Sequence, residues 1–218
     1  MSGTASRERA ATAWMVSMVA SLADNKAALG RCYADWAVSA PTLESAVAAA
    51  AMAQDELGHA RSTYPVLNAL GMEEGGEGSR GLAPLEQGFP SWPAFIAANL
   101  VLDGTLTTFV AACQDSSISQ LAQRARKILQ EEGSHRVHGE AWARRLRADP
   151  GQRAELLRWV AADWREASAW LGTGTEEGEQ AALTAGMMRV STAGQREQMR
   201  SFLLGLFRDD GIESELAG

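Results

Sequence analysis

The chain has 218 residues, long enough for one large helical domain with a substantial core. Its net charge of −7 excludes a phosphate-backbone partner, which would need clustered Lys and Arg. Ala is abundant while Ile and Tyr are sparse, so local preference favours helix, and no run of about 18 uncharged apolar residues predicts a membrane span.

The first helix is predicted from about Arg7 to Val38, ending before Pro41 because a residue preceding proline is pushed out of the helical region. The second starts after Thr42 as N-cap and continues to about Leu70. Gly71 to Pro90 follows as an irregular stretch, with glycines at 71, 75, 76, 78, 81 and 88. The third helix opens at Ser91 and Pro93, a capping residue with proline in the first turn, and runs to about Asp115. The fourth extends from about Ser117 to Ala148, stopped by Asp149, Pro150 and Gly151. Two or three shorter helices are expected after it, at about Gln152–Leu171, Glu177–Val190 and Thr192–Phe207. The N-terminal MSGTASRERA carries charges where a signal peptide needs apolar residues, and Cys32 and Cys113 fit no metal or redox spacing. A cytoplasmic protein with two reduced, buried thiols is the expectation.

Connection lengths carry topology. Short turns join helices 1–2 and 3–4 into antiparallel hairpins, while roughly 20 residues join helices 2 and 3. One long crossover between two hairpins predicts an all-α, ferritin-like four-helix bundle. It spans about residues 7–148, with further helices at about 152–208, in a single domain over 1–218.

The apolar stripes of these helices carry polar residues at their centres. On helix 4, Leu121, Ala125, Ile128, Glu132, His135, Gly139, Trp142 and Leu146 alternate steps of four and three, the spacing of one buried face. Helix 2 repeats this with Met52, Glu56, His59 and Thr63. Each motif is Glu-x-x-His, a carboxylate and an imidazole one turn apart. Asp103 lies on the stripe of helix 3 (Ile96, Leu100, Leu106, Val110), and Lys26 on that of helix 1 (Trp14, Met18, Leu22, Leu29, Tyr33, Trp36). Charges buried singly cost several kcal/mol each, so these groups must pair with one another or bind metal. Two Glu-x-x-His motifs with an acid from another helix match the ligand chemistry of di-iron carboxylate proteins, and O/N donors suit iron or manganese. His138 is expected as an outer contact or a surface residue, Glu131 should face away, and Asp24 and Asp55 should be solvated. The tryptophans fit helix seams, and Glu176, Glu177 and Glu179 read as a helix N-terminus favoured by the dipole.

The stretches LADNKAALGRCYADW, APTLESAVAAAAMAQDELGHAR, LDGTLTTF and QEEGSHRVHGEAWARRL resemble the phenylacetate catabolic protein family. These are the ferritin-like A and C subunits of the bacterial phenylacetyl-CoA monooxygenase (epoxidase). The resemblance covers about residues 15–172 and implies a ferritin-like fold, a cytoplasmic setting, and assembly as a homodimer or with a sister subunit. In the A subunit a di-iron centre activates O₂; the C subunit is similar in fold and has lost the metal. Carried over onto this sequence, the metal ligands are Glu56, His59, Asp103, Glu132 and His135. The sixth position, a helix 1 carboxylate in the catalytic subunit, falls on Lys26.

Charge counting defines the question that Lys26 poses. Four carboxylates balance two divalent ions; three carboxylates and an ammonium balance one, or none with two protonated histidines. A deprotonated or carbamylated Lys26 would also allow two, since buried lysines lose their charge readily. One reading is a non-haem iron monooxygenase, holding one or two irons and supplied by a reductase, with Lys26 as a catalytic donor or modified ligand. It would activate O₂ to oxidise a small organic or aromatic substrate. The other is a non-catalytic structural subunit in which Lys26 replaces the metal's charge, forming ion pairs with Glu56, Glu132 and Asp103.

Overall fold

A computed structural model describes residues 2–71 and 81–217. Among these the chain is all-helical, with no strand. The two long N-terminal helices are α1 (Ser2–Trp36) and α2 (Leu43–Ala69). Next come α3 (Pro84–Gln87), α4 (Trp92–Ala112) and α5 (Ser119–Leu146). The remainder holds α6 (Pro150–Leu171), α7 (Glu177–Thr184) and α8 (Thr192–Leu206).

The expected signals set several of these ends. Thr42 Oγ1 accepts from the Ser45 amide and Ser91 Oγ from the Ala94 amide, satisfying donors that a helix start leaves unpaired. Asp149 does the same for Gln152, so α6 begins at Pro150 rather than Gln152. Gly71 follows α2 at φ 78°, a left-handed conformation that costs glycine nothing. Other ends differ from expectation. Helix α1 reaches back to Ser2, and α4 stops at Ala112. Helix α7 stops at Thr184, because backbone bonds tie the following turn to the α4–α5 connection. There Ser117 donates to the Gly186 carbonyl and Arg189 to that of Ala112, both at 2.8 Å. Most of the stretch expected to be irregular, residues 72–80, lies outside the described residues. Its described end contains α3, whose Leu85 is buried with Leu82.

Helix directions follow from the contacts. Asp24 meets Tyr64 where Lys26 meets Glu56, so α1 and α2 are antiparallel. Asn99 and Leu100 lie against Gly139 where Asp103 meets His135, so α4 and α5 are antiparallel too. Met52 faces Asn99, and Glu56 and Asp103 share Lys26, so α2 and α4 run parallel. The end of α2 and the start of α4 therefore lie at opposite ends of these helices.

Helix α6 packs on the first half of α4, α7 on α1, and α8 on the second half of α4. One hydrophobic cluster extends from Ala11 to Leu216. Among the described residues only Trp92–Ala112 is long and apolar enough to cross a membrane, and most of it is buried inside this cluster. Both cysteines are free and buried, as expected.

Helix α4 holds a feature the sequence did not announce. Residues Asn99–Asp103 form a π-helical turn, all five of them buried. The wider turn directs both Asn99 and Asp103 at Tyr33: Asn99 Nδ2 donates to the Tyr33 hydroxyl (3.1 Å), which donates to Asp103 Oδ2 (3.1 Å).

Candidate functional site

Helices α1, α2, α4 and α5 bring their central polar residues to one buried point. Lys26, on α1, is 1% exposed and lies at its middle. Its ammonium donates to Glu132 Oε1 at 2.5 Å, Asp103 Oδ1 at 2.7 Å and Glu56 Oε1 at 3.0 Å. Each carboxylate comes from a different helix. An ammonium is a compact charge with three donors, so one lysine can serve three convergent acceptors, which a planar guanidinium could not do in this geometry. The chain has only two lysines, Lys26 and Lys127, and one of them is spent here.

The histidines bracket this core. His135 Nδ1 lies 3.1 Å from Asp103 Oδ2, 3.3 Å from Glu56 Oε1 and 3.4 Å from Glu132 Oε2. His59 Nδ1 lies 3.3 Å from Glu132 Oε1 and 3.8 Å from Glu56 Oε1. Both rings turn Nε2 the other way. His59 Nε2 meets Glu131 Oε2 at 2.9 Å, and His135 Nε2 meets Asp55 Oδ2 at 3.3 Å. Glu131 therefore does not face away, nor is Asp55 simply solvated, because each spans the α2–α5 seam to the opposite histidine. Asp24 is exposed, as expected, and accepts from the Tyr64 hydroxyl at 2.6 Å. His138 is half-buried, with its ring edge-on to Trp92 at 6.1 Å. Asn99 is the polar neighbour that stripe reasoning missed, and Tyr33, already on the helix 1 stripe, adds its hydroxyl to the network.

The electrostatics follow from burial set against pairing. Burial alone would lower the Lys26 pKa, but Asp103, Glu132 and Glu56 outweigh it and hold it well above the ordinary value. Burial would raise Asp103, yet Lys26 and His135 keep its carboxyl well below the usual carboxylate range. Glu132 is lowered in the same way, against burial and Asp103, by Lys26 and His59. Glu56 is raised by burial and by Asp103, with Lys26 opposing. Burial disfavours charge on both imidazoles, but Glu132 and Glu56 lift His59 to about 9. Asp103 and Glu56 lift His135 to about 11. Three ionised carboxylates, one ammonium and two imidazolium ions would make this inner set neutral, with Glu131 and Asp55 against its outer edge.

Ligand atoms of Glu56, Asp103, Glu132 and His135 all lie within 4.8 Å of one another, close enough to hold a metal ion. A pair of divalent ions does not fit the residues as they stand. Lys26 binds three of the carboxylates where they converge, and with both imidazoles neutral, as metal ligands must be, four added positive charges would meet a net charge of only −2.

A cavity of about 360 Å³ borders the cluster, floored by Asp103, Glu132 and His135. Leu129 and Phe202 wall it, together with Met199 of α8. The C-terminal helices, in which no chemistry was legible, thus supply part of the lining.

The comparison with known families agrees with this arrangement. The family model for the phenylacetic acid catabolic protein matches residues 1–208. No curated protein matches the chain. With its match over nearly the whole length, the chain belongs to the phenylacetic acid catabolic protein family.

Proposed function

We propose that this chain is a metal-free, non-catalytic subunit of a phenylacetyl-CoA-type oxygenase, a ferritin-like bundle in which Lys26 does the electrostatic work of the metal. The observation that carries the reading is the Lys26 ammonium, hydrogen-bonded to a carboxylate from each of three other helices. The ferritin-like assignment rests on two antiparallel hairpins, α1–α2 and α4–α5, whose helices α2 and α4 run parallel. In such a subunit the charged centre keeps four helices in register, and the outer surface serves a catalytic sister subunit in the cytoplasm. The test is metal content after anaerobic incubation with Fe(II) and desalting, combined with O₂ consumption in the presence of a reductase. The expected result is no retained iron and no turnover by this chain alone, with turnover restored only by a catalytic partner. Retained iron together with reductase-dependent O₂ consumption by the isolated chain would overturn it.

A second reading, a non-haem iron oxygenase, draws on the cavity. Asp103, Glu132 and His135 open onto a space able to admit a small organic molecule, and both histidines are retained. In that reading Glu56, His59, Asp103, Glu132 and His135 would hold the iron and Lys26 would have to leave the position it occupies. The same iron measurement separates the two readings.

A further inference from the structure

We propose that Lys26 alone keeps divalent metal out of this centre, and that the other five donors stay poised to accept it. The inference rests on the metal-free reading above and deepens it.

The histidines carry the argument. Lys26 has three N–H donors and three carboxylates to receive them, so its bonding is complete without an imidazole. Nevertheless both histidines point Nδ1 inward, and each is fixed from outside by a carboxylate on Nε2, Glu131 for His59 and Asp55 for His135. An outer N–H held by an acid is how proteins orient metal-bound imidazoles, and the inner nitrogens face the same carboxylates that would share the ion, at 3.1 Å for His135 and 3.3 Å for His59.

One ligand atom is moreover left over. Glu56 Oε2 is buried with no hydrogen-bond partner in a residue 0% exposed, while His59 Nδ1 meets carboxylate oxygens only at 3.3 and 3.8 Å. A network built only of ion pairs gains nothing from the free Glu56 oxygen, because a buried polar atom without a partner is costly. Glu56 Oε2 and His59 Nδ1 both lie on the α2 side of the ammonium and are donor types suited to Fe(II), Mn(II) or Co(II). Charge completes the account. A carboxylate in place of Lys26 would give four acids with two neutral imidazoles, the set that balances two divalent ions.

The experiment compares the full-length wild type, Lys26→Glu, and Lys26→Glu with His59→Leu, each incubated with Co(II), desalted and melted with and without the metal. Cobalt content, visible ligand-field absorption and melting temperature are read together. The wild type should retain no cobalt. Lys26→Glu should retain about one to two ions per chain and melt several degrees higher with Co(II) than without. Adding His59→Leu should reduce both effects. A Lys26→Glu protein that is folded yet takes up no cobalt overturns the inference while leaving the metal-free reading intact. One that stays unfolded even with Co(II) overturns it too, because metal should replace the missing positive charge. Uptake unaffected by His59→Leu places the ion elsewhere and has the same consequence. Cobalt retained by the wild type instead overturns the metal-free reading itself.

Discussion

Two regions lie side by side between the same helices and hold together by different physics. In the polar centre, Lys26, three carboxylates and two histidines are joined by short charge-assisted bonds. Beside it, Trp36, Trp92, Phe95 and Trp142 form an aromatic block. Trp92 stacks on Phe95 at 4.5 Å and meets Trp142 edge-on at 5.2 Å. Tyr33 belongs to both, its ring 5.1 Å from Phe95 and its hydroxyl on Asp103. The aromatic block contributes in proportion to the area it buries, and its neighbours can partly relax into a vacated space. The centre has no such latitude, because removing one charge strands the others in a medium that cannot solvate them.

The largest expected effect is therefore at Lys26. Lys26→Ala should cost about 3–5 kcal/mol, leaving three buried acids without their shared counter-ion. In a chain of this size that corresponds to a fall in melting temperature of about 2–4 °C per kcal/mol. A melt within a degree of wild type would show that the ammonium holds nothing together.

Phe95→Ala comes next, at about 3 kcal/mol, since the ring is fully buried. The sharper contrast is in pH. No titrating group is lost with Phe95, so its penalty should be the same at pH 6 and pH 9. A penalty that varied strongly with pH would mean that the aromatic block and the charged centre are not separable.

The centre should respond to pH through its histidines. His59 is raised in the folded protein from 6.5 to about 9, so the stability it contributes is complete below about pH 6.5. That contribution is lost as pH rises through about 9. The melting-temperature gap between wild type and His59→Gln should therefore be widest near pH 6 and close towards about pH 10. A constant gap would indicate that His59 contributes packing and no charge.

The smallest effect lies far from both regions. Ser191 Oγ accepts from the Gly194 amide at the start of α8, and Ser191→Ala should cost about 1 kcal/mol at any pH. A loss as large as that of Phe95→Ala would make α8 integral to the aromatic core rather than an appended helix.

Much of this contrast was legible in the sequence. The stripes of α2 and α5 marked Glu56, His59, Glu132 and His135, because steps of three and four put those positions on a buried face. Lys26 and Asp103 stood out as ionisable residues among apolar neighbours, and the caps at Thr42 and Ser91 fixed two helix starts. Other features depended on tertiary contacts that no local pattern encodes. The π-turn at Asn99–Asp103 shifts the register of α4 and adds Asn99 to the network. Glu131 and Asp55 lie off the stripes, yet they bridge the seam because α2 and α5 pack closely enough for each to reach the other helix's histidine. Helix α7 is cut short by the α4–α5 turn that bonds to the segment after it. Above all, charge counting left Lys26 with several states, and the geometry selects the one in which it pairs with Glu56, Asp103 and Glu132 at once.

The most direct test of the account observes that ammonium itself. The chain contains only Lys26 and Lys127, one buried in the centre and the other 60% exposed beside Glu131. With ¹⁵N-labelled lysine, the side-chain NMR spectrum reduces to two resonances, which Lys127→Arg would assign. The account predicts that Lys26 gives a slowly exchanging ammonium, still protonated at a pH where Lys127 has begun to titrate. A Lys26 signal that exchanges as fast as that of Lys127, or loses its proton near neutral pH, would contradict it.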